Sequence, residues 1–262
     1  MKRVLILALC LLPAACSSGA TFNRVQPSGQ KSVYIMQNNI KTDTRSLAVD
    51  RGSKTSEIIV SALLETDVTS SQQDGSWTIA SKFTQVDTKV NGESKPGASG
   101  LPADKPFSIT LDRDGKILKV TGLETPDKQT DIEQVFSQLS PTAMLPNRRV
   151  KVGESWPFEI TSGGQGSPSQ TIKGVGMLKG LNGDEAAMEF DFIIQVAAAQ
   201  QMGFSGIGQG KTTAVYDADK ARFISHKSDV TIETIGNIIM GEKSEPVKNT
   251  FTSSTQIDLV NR

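Results

Sequence analysis

The chain has 262 residues, with 28 basic and 28 acidic side chains, one histidine, two cysteines and 5% aromatic residues. That length holds one large domain or two small ones. Balanced charge with no long run of one sign lacks the footprint of a nucleic-acid binder. Sparse aromatics offer no stacking platform for sugars, and a metal cluster or Ser-His-Asp triad built on histidine would rest on His226 alone.

The chain opens MKRVLILALCLLPAACSSGA. Lys2 and Arg3 precede an apolar run, Val4 to Leu12, that is too short to span a bilayer as a helix. Small residues follow, which is the pattern of an export signal. Leu12-Pro13-Ala14-Ala15-Cys16 resembles the lipobox of bacterial lipoproteins, departing at Pro13, where an aliphatic residue is usual. The resemblance implies that Cys16 becomes the first residue of the mature protein and carries acyl chains such as palmitate. It also implies, with Ser17 next, sorting to the inner leaflet of a Gram-negative outer membrane, facing the periplasm. Cleavage after Ala20, from Ser18-Gly19-Ala20, is the competing reading. With Cys10 in the signal and Cys16 acylated, the mature body has no free thiol, disulfide or thiolate metal site. Residues 16–30 are Ser/Gly/Asn/Gln/Pro-rich and read as a flexible tether.

Beyond the tether, long strands are predicted. Lys31 to Lys41 and Ser56 to Thr69 are β-rich, and Asp74-Gly75 marks a tight turn. Trp77, Ile79, Ser81 and Phe83 then alternate onto one face. Asn91-Gly92 is a hairpin signal. A Pro/Gly/Ala/Ser loop fills Lys95 to Lys105, and Phe107, Ile109 and Leu111 alternate before Asp112-Arg113-Asp114-Gly115 turns the chain. That Asp-x-Asp-Gly run does not make a calcium loop, because the EF-hand register puts Thr110 and Thr121 where acidic ligands belong. Residues 127–143 break the β pattern. Ile132, Val135, Phe136 and Leu139 follow the spacing of a helix face, Thr125 suits the N-cap, Pro126 the first turn, and Pro141 limits the end. This apolar stripe is expected to pack on the open face of a sheet.

Arg148, Arg149 and Lys151 form a small basic cluster, read first as a solvated linker, with a contact to anionic headgroups or to a partner as the alternative. Strands resume at Gln170 to Lys179, turn at Asn182-Gly183, and continue over Ala186 to Ala199 with Met188, Phe190 and Phe192 alternating. The stretch GFSGIGQGKTT, residues 203–213, ends like a phosphate-cradling loop. Ser205 stands where that loop's first glycine belongs, and Lys211 is followed by strand-like residues rather than a helix. We read it as a flexible glycine-rich loop with no nucleotide. Strands are expected over Lys211 to Tyr216, Arg222 to Ile235 and Asn249 to Val260. In the last, Phe251, Ser253, Thr255, Ile257 and Leu259 share a face. His226 falls mid-strand with no nucleophile or orienting acid at a recognisable spacing.

The halves rhyme. Turns at Asp74 and Asp112 are matched by turns at Asn182 and Asp217, at offsets of about 108 and 105 residues, which supports a duplicated β unit. A shorter echo, Pro106-Phe107-Ser108-Ile109-Thr110 against Pro157-Phe158-Glu159-Ile160-Thr161, cuts across it. The fold expected is mainly β (α+β): long antiparallel strands in one or two curved sheets or open half-barrels, with one amphipathic helix. The organisation expected is a signal at 1–15, the tether at 16–30, a first β unit at 31–146 and a second at 147–262.

The passage Leu145-Pro146 … Val150-Lys151-Val152-Gly153-Glu154-Ser155-Trp156 resembles a signature of uncharacterised bacterial lipoproteins built from long β-hairpins. With the anchor and the strands, the build is similar to open-barrel lipid carriers, the lipoprotein-localisation and mycobacterial LppX-like families. Those hold acyl chains between a curved sheet and a helix. The resemblance implies a non-enzymatic, membrane-anchored protein, without cofactor or metal, that holds a lipid against Ile132, Val135, Phe136 and Leu139. The alternative is a docking module for another envelope protein.

Overall fold

The computed structural model describes residues 18–48, 52–123, 141–162, 169–197, 204–240 and 243–260. The strands are β1 (Gly19–Ala20), β2 (Lys31–Ser46), β3 (Ser53–Ser71), β4 (Trp77–Val90), β5 (Glu93–Ser94), β6 (Pro106–Leu111), β7 (Ile117–Thr121), β8 (Val150–Lys151), β9 (Ser155–Ser162), β10 (Ser169–Asn182), β11 (Glu185–Ala197), β12 (Ser205–Asp217), β13 (Arg222–Met240) and β14 (Lys243–Leu259). Stretches such as Thr231-Ile232-Glu233-Thr234-Ile235 explain the strand lengths. Their branched side chains suit a pleated, half-buried surface and alternate between its faces.

Twelve strands make one antiparallel sheet in the order β7-β6-β4-β3-β2-β14-β13-β12-β11-β10-β9, with β5 paired to β4. The chain runs outward from β2 to one edge at β7, crosses to the other edge at β9, and returns to β14. There β14 pairs with β2 from Val247↔Ser46 to Leu259↔Tyr34. The two predicted β units are thus halves of one continuous sheet. Their hairpins follow one another in the same sense across it, β3-β4-β6-β7 in one half and β10-β11-β12-β13 in the other.

The turns predicted at Asp74-Gly75, Asn91-Gly92, Asp112 to Gly115 and Asn182-Gly183 all join paired strands. Asn91 and Gly92 both take positive φ, 52° and 85°, as the twist of a two-residue hairpin requires. Asp112 Oδ1 accepts from the Asp114 and Lys116 amides, each at 2.9 Å. Those aspartates are turn residues.

Three sequence expectations change. First, the helix expected at 127–143 lies almost wholly outside the described residues; its last part, with Met144, is a 3-10 turn, Pro141–Met144. No α-helix occurs among the described residues, and none there is long and apolar enough to cross a membrane. Second, the glycine-rich stretch is strand rather than loop from Ser205 onward. Its glycines sit on the inner face beneath neighbouring side chains: a Cβ on Gly210 would lie 2.4 Å from the Phe192 ring. The glycines are there for packing, not for flexibility. Third, residues 18–30 pack on the body instead of hanging free. Gly19–Ala20 pairs with Val150–Lys151, Phe22 is buried against Trp156 and Tyr216, and Gln30 and Gly29 bond to Val68.

One face of the sheet, here called inner, carries the apolar residues. They form two clusters, one in each half. The β2–β7 half is built on Trp77, Ile79, Phe83, Phe107, Ile109 and Leu111. The other is built on Trp156, Leu178, Met188, Phe190, Ile194 and Tyr216 and takes in Phe22, Met144, Leu145 and Val150. The N-terminal segment and residues 142–150 therefore cover one end of the inner face. This covered end lies beside the turns at 72–76, 112–116, 183–184 and 218–221.

Arg24 ties this cover together. Its Nη1 reaches the Asp114 carboxylate and carbonyl, each at 3.1 Å, and its Nη2 donates to the Leu145 carbonyl. The Arg24 side chain is 14% exposed, whereas Asp114 is 59% exposed, so the ion pair itself contributes little. Arg24→Ala is expected to lower unfolding stability by about 2–3 kcal/mol, mainly by leaving the Leu145 carbonyl unpaired. Urea unfolding checks this, with Arg113→Ala as an exposed neighbour that should change little.

Candidate functional site

The inner face changes character along the strands. At the covered end Trp77, Leu111, Leu178, Ala186 and Tyr216 are fully buried. From mid-sheet toward the far end Phe158, Ile160, Ile172, Val196, Val230 and Ile232 pack on the core but keep part of their surface open, interspersed with the buried Phe192, Ile194 and Val247. Ile40, Ile58 and Phe251 across the sheet are likewise half-buried. An apolar face left half-covered has lost only part of the free energy available from burial.

Between the two apolar clusters runs a polar strip on β12, β13, β14 and β2. Thr212 donates to Ser228 at 2.9 Å. Ser253 and Thr255 both donate to the Asn38 side-chain oxygen, at 3.0 and 3.2 Å. His226 is buried on the same face, 6.5 Å from the Phe223 ring. Strand alternation puts these groups inward, and the hydrogen bonds among Thr212, Ser228, Ser253, Thr255 and Asn38 make the burial of those side chains tolerable. The surface is therefore amphiphilic: two apolar walls with a strip of hydroxyl and amide groups between them.

Below the strip, burial pushes the Tyr216 hydroxyl up, with Asp217 adding to it, so it stays protonated and donates to the Asn23 carbonyl. Burial also raises Tyr34, against a hydrogen bond to Ser32 and the charge of Arg222. Arg222 donates to Ser32 at 3.1 Å.

The outer face is polar. A shallow depression of about 780 Å³ crosses it, lined by Asn39, Lys41, Lys173, Asp191, Lys211 and Asp229 among others. Lys211, the lysine of the loop-like stretch, lies here with its Nζ 2.7 Å from Glu189. That hydrogen bond raises Lys211 and lowers Glu189. Lys211 is paired on the outer face, while Thr212 next to it points inward, so the two do not converge on one ligand. Among the described residues no group of three or more His, Cys, Asp and Glu side chains could hold a metal ion.

Cys16, Ile132, Val135, Phe136 and Leu139, the residues singled out for lipidation and ligand contact, lie outside the described residues. Sequence reasoning missed the polar strip. It grouped Ser253 and Thr255 on one face but had no means of seeing Asn38, which reaches them only because β14 pairs with β2.

The sheet is similar in fold to a part of lipovitellin. That structure, titled for lipid–protein interactions in lipovitellin, matches 90% of this chain and 25% of its own, at 12% identity and a TM-score of 0.51. The chain thus spans about a quarter of that protein, and at this identity the likeness is one of fold alone. Two Pseudomonas aeruginosa proteins also align: OccK11 (OpdR) with TM-score 0.23, 6% identity, 92% of this chain and 100% of that one, and OpdQ with 0.22, 7%, 88% and 100%. Those scores are too low to bear on the fold. No family model matches the chain, and no curated protein sequence matches it.

Proposed function

We propose that the chain is an exported, lipid-anchored envelope protein that binds an amphiphilic lipid on the inner face of its sheet without transforming it. The observation that carries this is the half-covered apolar end with a polar strip beside it. Such a surface suits a ligand with an acyl chain and a polar head: the chain meets Phe158, Ile172, Val230 and Ile232, and the head meets the part-exposed Asn38 and Ser228, the rest of the strip being buried. The likeness to a part of lipovitellin supports the reading at the level of fold, and a fold does not by itself dictate function. The export signal and Cys16 supply the anchor, and two or more acyl chains hold a protein stably where one does not. Titration with a fluorescent fatty acid tests binding. Saturable enhancement, reversed by unlabelled phospholipid, is expected, and a flat titration overturns the reading.

A second reading is favoured by one observation. Val175, Ile193, Ile207 and Ile235 lie on β10, β11, β12 and β13 of the outer face, each two residues diagonal to the next, and they are 45–60% exposed. A diagonal apolar stripe on a polar sheet suits a protein partner. Ile207→Lys is expected to leave thermal stability within about 0.5 kcal/mol. On this reading it abolishes crosslinking to an envelope protein at that face; unchanged crosslinking removes the stripe as a dock.

A further inference from the structure

We infer that the corner formed by Arg148, Arg149, Lys151 and Val152 rests on the headgroups of an anionic phospholipid bilayer, so that the half-covered apolar end opens away from the anchoring membrane. The inference rests on the reading above that Cys16 carries the acyl chains.

Chain length is the first ground. Ser18 is already fixed on the body, because its carbonyl accepts from the Val152 amide at 3.1 Å. Gly19 pairs with Lys151 directly beyond it. Only Ser17 separates Ser18 from Cys16, so the acylated residue lies within about 7 Å of the corner, two Cα steps along the chain. The headgroup layer of one leaflet is about 5–8 Å thick. An acyl group buried in hydrocarbon therefore draws this corner into or onto the headgroups.

Charge is the second ground. Arg148, Arg149 and Lys151 are exposed, and Val152 beside them is 40% exposed. Glu154 is the acid in the group: it pairs with Arg148 at 2.5 Å and accepts from the Lys151 amide at 2.9 Å. Those two bonds, the backbone one foremost, hold its carboxyl below the usual range. It neutralises one of three cations and fixes the loop, so the corner stays net positive. Each basic residue near an anionic surface strengthens attachment about five-fold. An apolar side chain between cations is the composition of an interfacial contact.

Topology then sets the orientation. The corner lies at the covered end of the sheet, beside the start of β9. Strands such as β2, of 16 residues, run about 50 Å from that end to the other. The part-exposed apolar residues Ile160, Ile172 and Phe251 lie about 17–26 Å along the strands from that end and are thus lifted off the bilayer.

The test uses the full-length lipidated protein, extracted from envelopes and reconstituted into phosphatidylcholine vesicles containing phosphatidylglycerol and a headgroup-labelled acceptor. A donor is placed on Asp184→Cys at the covered end or on Ser94→Cys at the far end. Strong energy transfer from the first and weak transfer from the second is expected. Arg149→Glu with Lys151→Glu should reduce that contrast several-fold while flotation with vesicles persists. Flotation with equal or reversed transfer overturns the contact and leaves the anchor standing. A protein without acyl mass that fails to float overturns both.

Discussion

Gly176→Val is expected to destabilise the protein by about 3–5 kcal/mol, the range seen when a buried tryptophan is lost. Gly176 lies on β10 directly beneath the Trp156 ring. An added Cβ would stand 2.5 Å from Trp156 Cε2 and 2.8 Å from its Nε1, closer than real side chains approach. The ring has nowhere to go. It is 3% exposed, packed edge-on against Phe190 at 5.9 Å and tilted against Phe22 at 6.1 Å. Its Nε1 donates to the Met144 carbonyl at 2.7 Å, so displacement also breaks a buried hydrogen bond. Valine's better strand propensity returns less than about 1 kcal/mol. Gly180, four residues along the same strand, has nothing within 4 Å of a Cβ, so Gly180→Ala should be neutral or stabilising by up to about 1 kcal/mol. Urea unfolding of the two variants separates close packing from a general intolerance of β10. Equal effects would mean that Trp156 is not where the structure puts it.

The second large effect concerns the ligand. Val230→Thr combined with Ile232→Thr keeps branched side chains on β13 but removes methyl and methylene groups from the open inner face. If an acyl chain lies there, about 2–3 kcal/mol of apolar contact disappears, and affinity for a fluorescent fatty acid should fall roughly 30- to 150-fold. Both side chains are half-buried, so folding should suffer less than binding. Thr231 stands between them and faces outward, so Thr231→Val should leave affinity unchanged. If the double substitution and the outward one behave alike, the probe is bound elsewhere.

Much of the fold was legible because alternation is a strong signal. Trp77-x-Ile79-x-Ser81-x-Phe83 and Phe107-x-Ile109-x-Leu111 fall on the inner face as their spacing predicts, and the Asp/Asn-Gly pairs mark real turns. The glycine-rich stretch misled because glycine in isolation favours loops. In β12 the same absence of a side chain makes room for Phe192 and Ile232, which come from neighbouring strands invisible to a local reading. The tether failed for a related reason. Ser/Gly/Asn composition describes a free chain, but Phe22 and Arg24 within it pack on the Trp156 cluster and bond to the Leu145 carbonyl, partners far away in sequence that only the folded sheet brings near. Pairing of β14 with β2 joins strands more than 200 residues apart, and neither pattern nor propensity reports it. The amphiphilic inner face depends on that pairing; the helix expected to pack on it lies almost wholly outside the described residues.

The most direct measurement is the native mass spectrum of the protein body, expressed from residue 17 behind a cleavable export signal and purified from bacterial envelopes without detergent. A discrete additional mass that is released on denaturation and fragments as a phospholipid or fatty acid is the predicted result, and it should be lost in the Val230→Thr/Ile232→Thr variant. A bare protein mass, from a preparation that also fails to take up added phospholipid, would contradict the claim that the inner face holds a lipid.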